Sequence, residues 1–199
     1  MEPIDTRTIT LRERVIGGRV LGAQLRDHIL ADLAAAPVDA LVAVDFASVQ
    51  TLDFSAADEL LSGLIMRVVS GELGSKRFFL VGLTDAVRES IAAVLDLRKR
   101  QCLEVRDDGA VAVLGPFSPP HRETFDYVTE SGEVTVGDVA RRFWPEPNMT
   151  AAANRLNALA DSGLVHRALQ PGGRRGTRLA YRSVLPRRSG LRFKDAASP

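Results

Sequence analysis

The sequence predicts an α/β domain with a mostly parallel sheet, followed by a smaller α+β domain, and three observations support this prediction. Up to about residue 115, short β-branched runs alternate with amphipathic helical stretches, as expected when helices cover a parallel sheet. Three prolines, Pro116, Pro119 and Pro120, then interrupt the alternation. The charge also reverses there, since 13 Lys and Arg against 17 Asp and Glu precede His121, and 13 against 8 follow from His121 onward.

The proline-rich segment is the predicted domain boundary. Prolines lack a backbone N–H and favour extended structure, so neither a helix nor a central strand should run through residues 115–120. We therefore expect a first domain over residues 1–115, a linker over 116–120 and a second domain over 121–185. Pro186 then begins a basic tail, residues 186–199, that is expected to be flexible.

Five strands and three helices are expected in the first domain. The strands are residues 8–11, alternating like an edge strand; 41–46, an apolar run typical of burial on both faces; 77–82; and 102–105 with 110–114, a hairpin turning at Asp107-Asp108-Gly109. The helices, residues 20–35, 55–72 and 85–97, each carry an apolar stripe at helical spacing. This alternation predicts a mostly parallel sheet with helices packed against it.

Residues suited to catalysis or metal binding are sparse. Cys102 is the only cysteine, so neither an intrachain disulfide nor a thiolate zinc cluster can form, and its strand-like surroundings favour a buried role. His28, His121 and His166 are scattered without ligand spacing, and no phosphate-binding glycine motif or Ser/His/Asp signature occurs. We expect no enzymatic activity, no metal and no cofactor.

Membrane insertion and secretion are not expected either. No apolar run approaches the length of about 20 residues that spans a bilayer. The N-terminus, MEPIDTRTIT, has acidic residues where a secretory signal has a basic start followed by an apolar stretch. The predicted location is the cytoplasm.

A distinctive turn, Asp53-Phe54-Ser55-Ala56, lies between a predicted strand and a predicted helix. Over residues 8–106 the chain resembles the STAS domain of bacterial anti-sigma-factor antagonists. It looks closer still to a STAS-like family of uncharacterised role, whose signature resembles Ser-Phe-Ala-Asp-Glu-Leu. Asp53 and Ser55 match the Asp and the phosphorylatable second Ser of that turn, whereas Phe54 replaces a small residue and Ala56 replaces Gly. The resemblance implies a protein-docking domain, a partner of the histidine-kinase-like ATPase type, and regulatory phosphorylation of Ser55.

Ser55 also has an interpretation that needs no phosphorylation. Ser55 to Asp58 approximates a capping box, and a serine N-cap stabilises a helix by about 1 kcal/mol. A phosphate on Ser55 would meet free N–H groups and the positive end of the helix dipole, but Asp53 and Asp58 would oppose its charge. Ile65 and Met66 likewise fit a docking surface or, as their helical spacing favours, the core.

The second domain shows the order helix, short strand, helix, turn, helix, hairpin. The helices are predicted at residues 122–129, 138–143 and 150–162, the short strand or turn at 134–136, and the hairpin at 164–184 with its tip at 171–176. Pro145 and Pro147 bar a helix from the turn before the third helix. In order and spacing, residues 121–185 are similar to the winged helix-turn-helix regulators.

This resemblance implies that the third helix enters the major groove of DNA and that the hairpin tip, or wing, lies beside it. An asparagine suits adenine and an arginine suits guanine, although either could hold a phosphate instead. The flexible, cationic wing suits phosphates or the minor groove. After Asp161 nine basic residues face one acid, Asp195, which favours DNA over a protein partner. Helical spacing predicts that Thr150, Asn154 and Arg155 point outward from the third helix. The predicted DNA-binding residues are Thr150, Asn154, Arg155, Arg174, Arg175 and Arg178.

The first functional interpretation is a cytoplasmic, bacterial-type regulator in which a STAS-like docking domain controls a winged helix that binds double-stranded DNA. A second is an interaction adaptor for the ATPase whose winged helix contacts protein. A third is a repressor with a small-molecule pocket at the carboxyl ends of the strands. The DNA target, the effector and the oligomeric state, for which a dimer is one option, stay open.

Overall fold

A computed structural model of the protein describes residues 6–172, 176–185 and 193–194. These residues form a mixed α/β structure with six helices and a mostly parallel main sheet. The chain divides into two compact units, which we call the first unit (residues 1–116 and 190–199) and the second unit (residues 117–189). Over the same described ranges, no helix is long and apolar enough to cross a membrane.

The main sheet of the first unit contains six strands. In chain order these are β1 (Thr6–Thr10), β3 (Leu41–Asp45), β5 (Arg77–Val81), β6 (Cys102–Val105), β7 (Val111–Leu114) and β11 (Phe193–Lys194). Their order across the sheet is β11-β1-β3-β5-β6-β7. All neighbours are parallel except β6 and β7, which form an antiparallel pair, so the prediction of a mostly parallel sheet is confirmed.

Two strand pairings were not predicted. A short parallel pair joins β2 (Val15–Ile16) to β4 (Thr51–Leu52). β11, in the segment predicted to be a flexible tail, pairs with Thr6 and Arg7 of β1, directly before the residues 8–11 that were predicted as an edge strand. The rest of that tail lies outside the described residues. Such two-residue pairings between distant segments are too short to leave a periodic pattern in the sequence.

Three helices pack against the main sheet: α1 (Gly18–Ala35), α2 (Phe54–Val69) and α3 (Asp85–Arg98). Side chains such as Ile9, Val44 and Leu80 form a core with the helices. The other face also carries fully buried side chains, including Ala43 and Phe79, so the burial of β3 on both faces is confirmed. The hairpin between β6 and β7 turns where predicted, since the N–H of Gly109 donates to Arg106 O at 2.8 Å.

α1 and α2 approach each other closely because two glycines lie where they meet. A Cβ atom added at Gly22 of α1 would lie 2.6 Å from the backbone oxygen of Ala56 in α2. At Gly63 of α2, an added Cβ would meet the side chain of Arg26, which crosses from α1 and donates to Glu59. The two helices therefore pack with their N-terminal ends side by side.

A buried carboxylate ties α3 to the sheet. The side chain of Glu104 on β6 is only 1% exposed, and Arg88 on α3 donates to it from Nη2 at 2.8 Å and from Nε at 3.0 Å. Arg106 lies farther away, with its Nε 3.7 Å from Glu104 Oε2. Because a buried charge is costly unless paired, Arg88 makes the burial of Glu104 tolerable.

The second unit contains three helices and a three-stranded antiparallel sheet of order β8-β10-β9. Its elements are α4 (Pro119–Ser131), β8 (Glu133–Thr135), α5 (Val136–Phe143), α6 (Met149–Asp161), β9 (Val165–Gly172) and β10 (Gly176–Ser183). Phe125, Val139, Leu156 and Tyr181 are among the buried side chains that pack between the helices and the sheet.

α4 begins at Pro119, inside the predicted linker and three residues before the predicted start of the helix at Arg122, while no helix runs through residues 115–120. Pro119 and Pro120 occupy the first two helical positions, where the missing N–H has no partner to lose and the fixed φ suits a helix. α5 also begins earlier than predicted, because Thr135 and Asp138 form a reciprocal capping box. The spacing of those two residues could have revealed it.

Candidate functional site

The second unit exposes the N-terminal half of α6. Thr150 and Asn154 are exposed, whereas Ala152, Leu156 and Leu159 face the interior. Thr150 and Asn154 therefore face solvent from the same helix, where their hydrogen-bonding groups are available to a ligand. Their role in reading bases stays a prediction.

The turn before α6 fixes where that helix begins. Asn148 is the N-cap residue, and its side-chain oxygen accepts the N–H of Ala151 at 2.9 Å. Such a bond satisfies one of the free N–H groups of the first helical turn. Asparagine directly after Pro147 is a typical N-cap signal, and it indicates a helix that begins at Met149, one residue before the predicted start.

Arg155 does not point freely outward as predicted. Its guanidinium carbon lies 4.5 Å from the centroid of the Trp144 ring and 5.6 Å from that of Phe143, and the side chain is half-buried. Stacking on an aromatic face stabilises an arginine and restricts its rotamers. Arg155 is therefore held against the turn between α5 and α6, a placement that helical spacing alone does not reveal.

The base of the hairpin is tied to α6 by a polar network. The hydroxyl of Tyr181 on β10 donates to Asn157 Oδ1 at 2.8 Å. Arg167 on β9 donates to the same oxygen at 3.2 Å and to Asp161 at 2.6 Å. The bond that Arg167 donates to Asp161 raises the pKa of Arg167, which keeps its guanidinium charged. These contacts join residues up to 24 positions apart and gave no signal in the sequence.

Two of the basic residues counted toward DNA binding are already paired. Arg167 forms an ion pair with Asp161, and Arg182 on β10 forms one with Glu133 on β8. The count of nine basic residues against one acid is therefore wrong as a measure of free charge, because it stopped at Asp161 and ignored acids earlier in the chain. Pairing across the unit neutralises part of the hairpin.

The wing itself is described only in part. Arg174 and Arg175 lie outside the described residues, and only the backbone of Arg178 is described, in β10 opposite Gln170 of β9. β9 and β10 are paired antiparallel from Val165 opposite Ser183 to Gly172 opposite Gly176, which is the last described pair before the tip. The predicted contacts of the three arginines with DNA stay predictions.

In the first unit, Asp53 rather than Ser55 is the N-cap of α2. Its Oδ1 accepts the N–H of Ala56 at 2.7 Å, and its Oδ2 accepts the N–H of Gly18, the first residue of α1, at 2.7 Å. One carboxylate thus bridges the N-termini of two helices. The expected cap at Ser55 is wrong because the helix begins at Phe54, which makes Ser55 its second residue.

Ser55 acts on this bridge instead of capping the helix. Its hydroxyl donates to Asp53 Oδ1 at 2.9 Å, and the side chain is half-buried. The pKa of Asp53 is lowered, first by the bond from the Ala56 N–H, then by those from Gly18 and Ser55. This stabilisation is present above the ordinary pKa of an aspartate and is lost as the pH falls through the lowered value.

Exposed apolar residues occur in the segments that meet at the Asp53 bridge. Val15, Val20 and Phe54 are 63%, 75% and 46% exposed, and all three lie in or next to the elements that Asp53 joins. Exposed apolar residues grouped around a polar centre are typical of a protein-docking surface. We call Val15, Val20, Phe54 and Ser55 the bridge surface.

Ile65 and Met66, the two residues considered for a docking surface on α2, differ in their exposure. Ile65 is 4% exposed and belongs to the core, as its helical spacing favoured, whereas Met66 is 48% exposed and accepts a bond from Arg100 Nη2. Asp58 does not stand free beside Ser55, because Arg98 donates to both of its oxygens, at 2.8 and 2.6 Å, and holds its pKa down.

The described residues show few features suited to metal binding, thiol chemistry or small-molecule binding. Within residues 6–172, 176–185 and 193–194, no group of three or more His, Cys, Asp or Glu could hold a metal ion. Burial raises the pKa of Cys102 to about 12, so its thiol stays protonated and unreactive near neutral pH. A groove of about 390 Å³ runs along β1, but charged residues such as Arg7 and Asp32 line it together with apolar ones. It follows β1 and the residues directly after that strand, Leu11 to Glu13, whereas the repressor interpretation calls for a hydrophobic pocket at the carboxyl ends of the strands.

Comparisons of the chain with protein-family models, with curated proteins and with solved structures found no match. The roles of Asp53, Ser55, Asn154 and Arg155 therefore rest on the chemistry and geometry of this chain.

Proposed function

We propose that the protein is a DNA-binding regulator whose second unit is a winged helix-turn-helix domain. The observation that carries this proposal is α6, which exposes Thr150 and Asn154 directly after a capped turn from α5. An α-helix fits the major groove, and residues near its N-terminal end contact the base edges. In this arrangement Asn154 reads a base, and the wing arginines contact phosphates.

The order of elements in the second unit supports this proposal. Three helices are followed by the hairpin of β9 and β10, whose base is fastened to α6 by Tyr181 and Arg167 through Asn157. A hairpin fastened to the recognition helix projects beside the groove that the helix occupies. The contact that we propose for Arg174, Arg175 and Arg178 is with the phosphates beside that groove.

Replacing Arg174, Arg175 and Arg178 with Ala in the full chain should weaken binding to duplex DNA of any sequence. Fewer counterions are released on binding when a phosphate contact is lost. The slope of log affinity against log salt concentration should therefore become shallower by about 0.9 per contact. Fluorescence anisotropy with a labelled random duplex at several salt concentrations measures this slope. Arg182→Gln is the matched control, because that arginine is already paired with Glu133 and should leave the slope unchanged.

We further propose that the first unit is a STAS-like docking domain and that its partner is a protein of the histidine-kinase-like ATPase type, met in the cytoplasm of a bacterium. The bridge surface supports a docking role, because it combines exposed apolar side chains with a hydroxyl that is open to modification. The hydroxyl oxygen of Ser55 lies 2.9 Å from Asp53 Oδ1, so a phosphate on Ser55 would lie against that carboxylate. Repulsion would then loosen the bond from Gly18 to Asp53.

Ser55→Asp and Ser55→Glu should imitate this charge and release a partner that binds the bridge surface. Ser55→Ala should keep the partner and change the stability little, because Asp53 still caps both helices. Ser62→Asp is the matched control, since Ser62 also donates to an aspartate of α2, Asp58, but lies two turns along the helix. Binding to proteins from the native host, together with mass spectrometry of Ser55, provides the measurement. Equal binding by all variants and no phosphate on Ser55 would contradict the proposed switch.

A second candidate function is an adaptor whose winged helix contacts protein. The exposed leucine pair of the hairpin favours it, because Leu169 and Leu179 face each other across β9 and β10 and are 73% and 39% exposed. The pairing of Arg167 and Arg182 with acids favours it as well. Duplex binding that depends on salt distinguishes the regulator from the adaptor.

A further inference from the structure

Two arginines of the second unit border the same aromatic ring. The guanidinium carbon of Arg142, at the end of α5, lies 5.9 Å from the centroid of Phe143, and that of Arg155, on α6, lies 5.6 Å from it. Arg155 also stacks on Trp144, which meets Phe143 edge to face at a centroid distance of 6.3 Å. The turn between α5 and α6 thus brings two cations together around a fixed aromatic pair.

Neither cation has an acidic partner among the described residues. The neighbouring Arg141 is paired with Asp138 at 2.5 Å, whereas no ion pair of the described chain includes Arg142 or Arg155. Glu146, the acid of the turn, is exposed and forms no ion pair within the same residues. Aromatic faces attract cations but do not neutralise them, so both positive charges at the border of the Phe143 ring remain without an acidic partner within the described residues. An anion is the ligand that pairs with such charges.

The aromatic contacts also hold Arg155 in one orientation. Its Nη1 atom is buried and has no hydrogen-bond partner within the described part of the chain, while the side chain as a whole stays half-exposed. Stacking a guanidinium on an indole leaves the donors at its rim directed sideways, in the plane that a phosphate or carboxylate meets. A donor restrained before binding loses less entropy on contact than a free arginine does.

We propose that Arg142 and Arg155 form a seat for a backbone phosphate of the nucleic acid that α6 contacts. This inference rests on the proposed function and adds a contact at the turn before the recognition helix. Guanidinium groups match the phosphate geometry through paired N–H donors. Within this seat Arg155 contacts the backbone and carries no base specificity, whereas Asn154 reads the base.

The first test compares three arginine variants of the full chain. Arg142→Ala and Arg155→Ala should each lower affinity for specific and random duplexes by the same factor and reduce the salt slope by about 0.9. Arg141→Ala is the matched control and should leave the slope unchanged, because Asp138 already occupies that arginine. Asn154→Ala should instead lose affinity mainly for the preferred sequence. Unchanged slopes for both Arg142→Ala and Arg155→Ala would overturn the seat.

The second test uses Trp144, the only tryptophan of the chain, and does not require DNA. Adding inorganic pyrophosphate to the wild-type protein should change the Trp144 emission, because the anion draws on the arginine stacked against that ring. The change should disappear in Arg155→Ala and persist in Arg141→Ala. Arg155→Lys keeps the charge but not the planar stack, so it should retain most of the salt slope and lose the emission change.

The two tests separate this inference from the proposed function. If the wild-type protein fails to bind duplex DNA while pyrophosphate still changes the Trp144 emission, the anion seat stands and the DNA-binding function falls. In the opposite case duplex DNA binds, but the salt slope and the response of the Trp144 emission to pyrophosphate are the same in the wild-type protein, Arg142→Ala and Arg155→Ala. The seat then falls and the function stands. Binding of a poly-glutamate peptide in preference to pyrophosphate and duplex would overturn the phosphate assignment in favour of an acidic protein partner.

Discussion

Arg88→Ala is expected to destabilise the first unit by about 3 kcal/mol, near the lower end of what breaking a buried ion pair costs. The substitution leaves the carboxylate of Glu104, 1% exposed, with only Arg106 at 3.7 Å. Urea unfolding followed by far-UV circular dichroism reports both units, whereas Trp144 emission reports only the second. The variant should therefore shift part of the dichroism transition and leave the transition of Trp144 in place.

Two controls isolate the buried charge as the cause. Arg106→Ala removes a more distant and half-exposed partner of the same carboxylate, so its effect should be small. The double variant Arg88→Met with Glu104→Leu replaces both charges by apolar groups and should recover most of the stability, since such replacements are often neutral. If Arg88→Ala unfolded at the same urea concentration as the wild-type protein, the pair would contribute nothing to stability.

Gly22→Val should force α1 away from α2 and open the Asp53 bridge. A Cβ atom at this position lies 2.6 Å from the backbone oxygen of Ala56 and 2.9 Å from its Cα atom, and neither backbone atom can move without moving α2. Overpacking of this kind costs about 1–3 kcal/mol. The displaced helix should also lengthen the bond of 2.7 Å between the Gly18 N–H and Asp53, which holds the bridge surface together.

Hydrogen exchange of the Gly18 amide and the thermal unfolding temperature provide the measurement for Gly22→Val. Gly63→Ala is the matched control: its Cβ atom meets the side chain of Arg26, whose flexible end can move aside, so the loss should be smaller. In an open helix a glycine replacement would stabilise, because glycine is a poor helix former. A rise in stability for Gly22→Val, with Gly18 still protected, would contradict the close approach of the two helices.

The local sequence pattern was sufficient for the helices and the longer strands of both units, but not for β2, β4 and β11. Alternating strands and helices predicted the mostly parallel sheet, and the apolar run at residues 41–46 predicted burial on both faces of β3. The turn at Gly109 and the exposed positions of Thr150 and Asn154 on α6 follow from turn chemistry and helical spacing. Each of these features depends on residues within about one helical turn or one strand of each other.

The partners of the site residues depended on the fold. Asp53 was preferred over Ser55 as the cap because Gly18, 35 residues earlier, donates to its second oxygen. Arg167 forms an ion pair with Asp161, and Arg182 forms one with Glu133, 49 residues away, so neither charge is free. The pairing of β11 with β1 likewise joins opposite ends of the chain. Periodicity carries no record of such distant pairings.

The sequence by itself therefore determined which segments become helices and the longer strands, because propensity and apolar spacing act over a few neighbouring residues. Only the tertiary structure decided which charges stay free and which carboxylate caps which helix. Arg155 shows the difference: helical spacing placed it on the outer side of α6, and the ring of Trp144 then held it against the turn. A long side chain goes to the partner that packing brings within reach, and that partner is set by the fold.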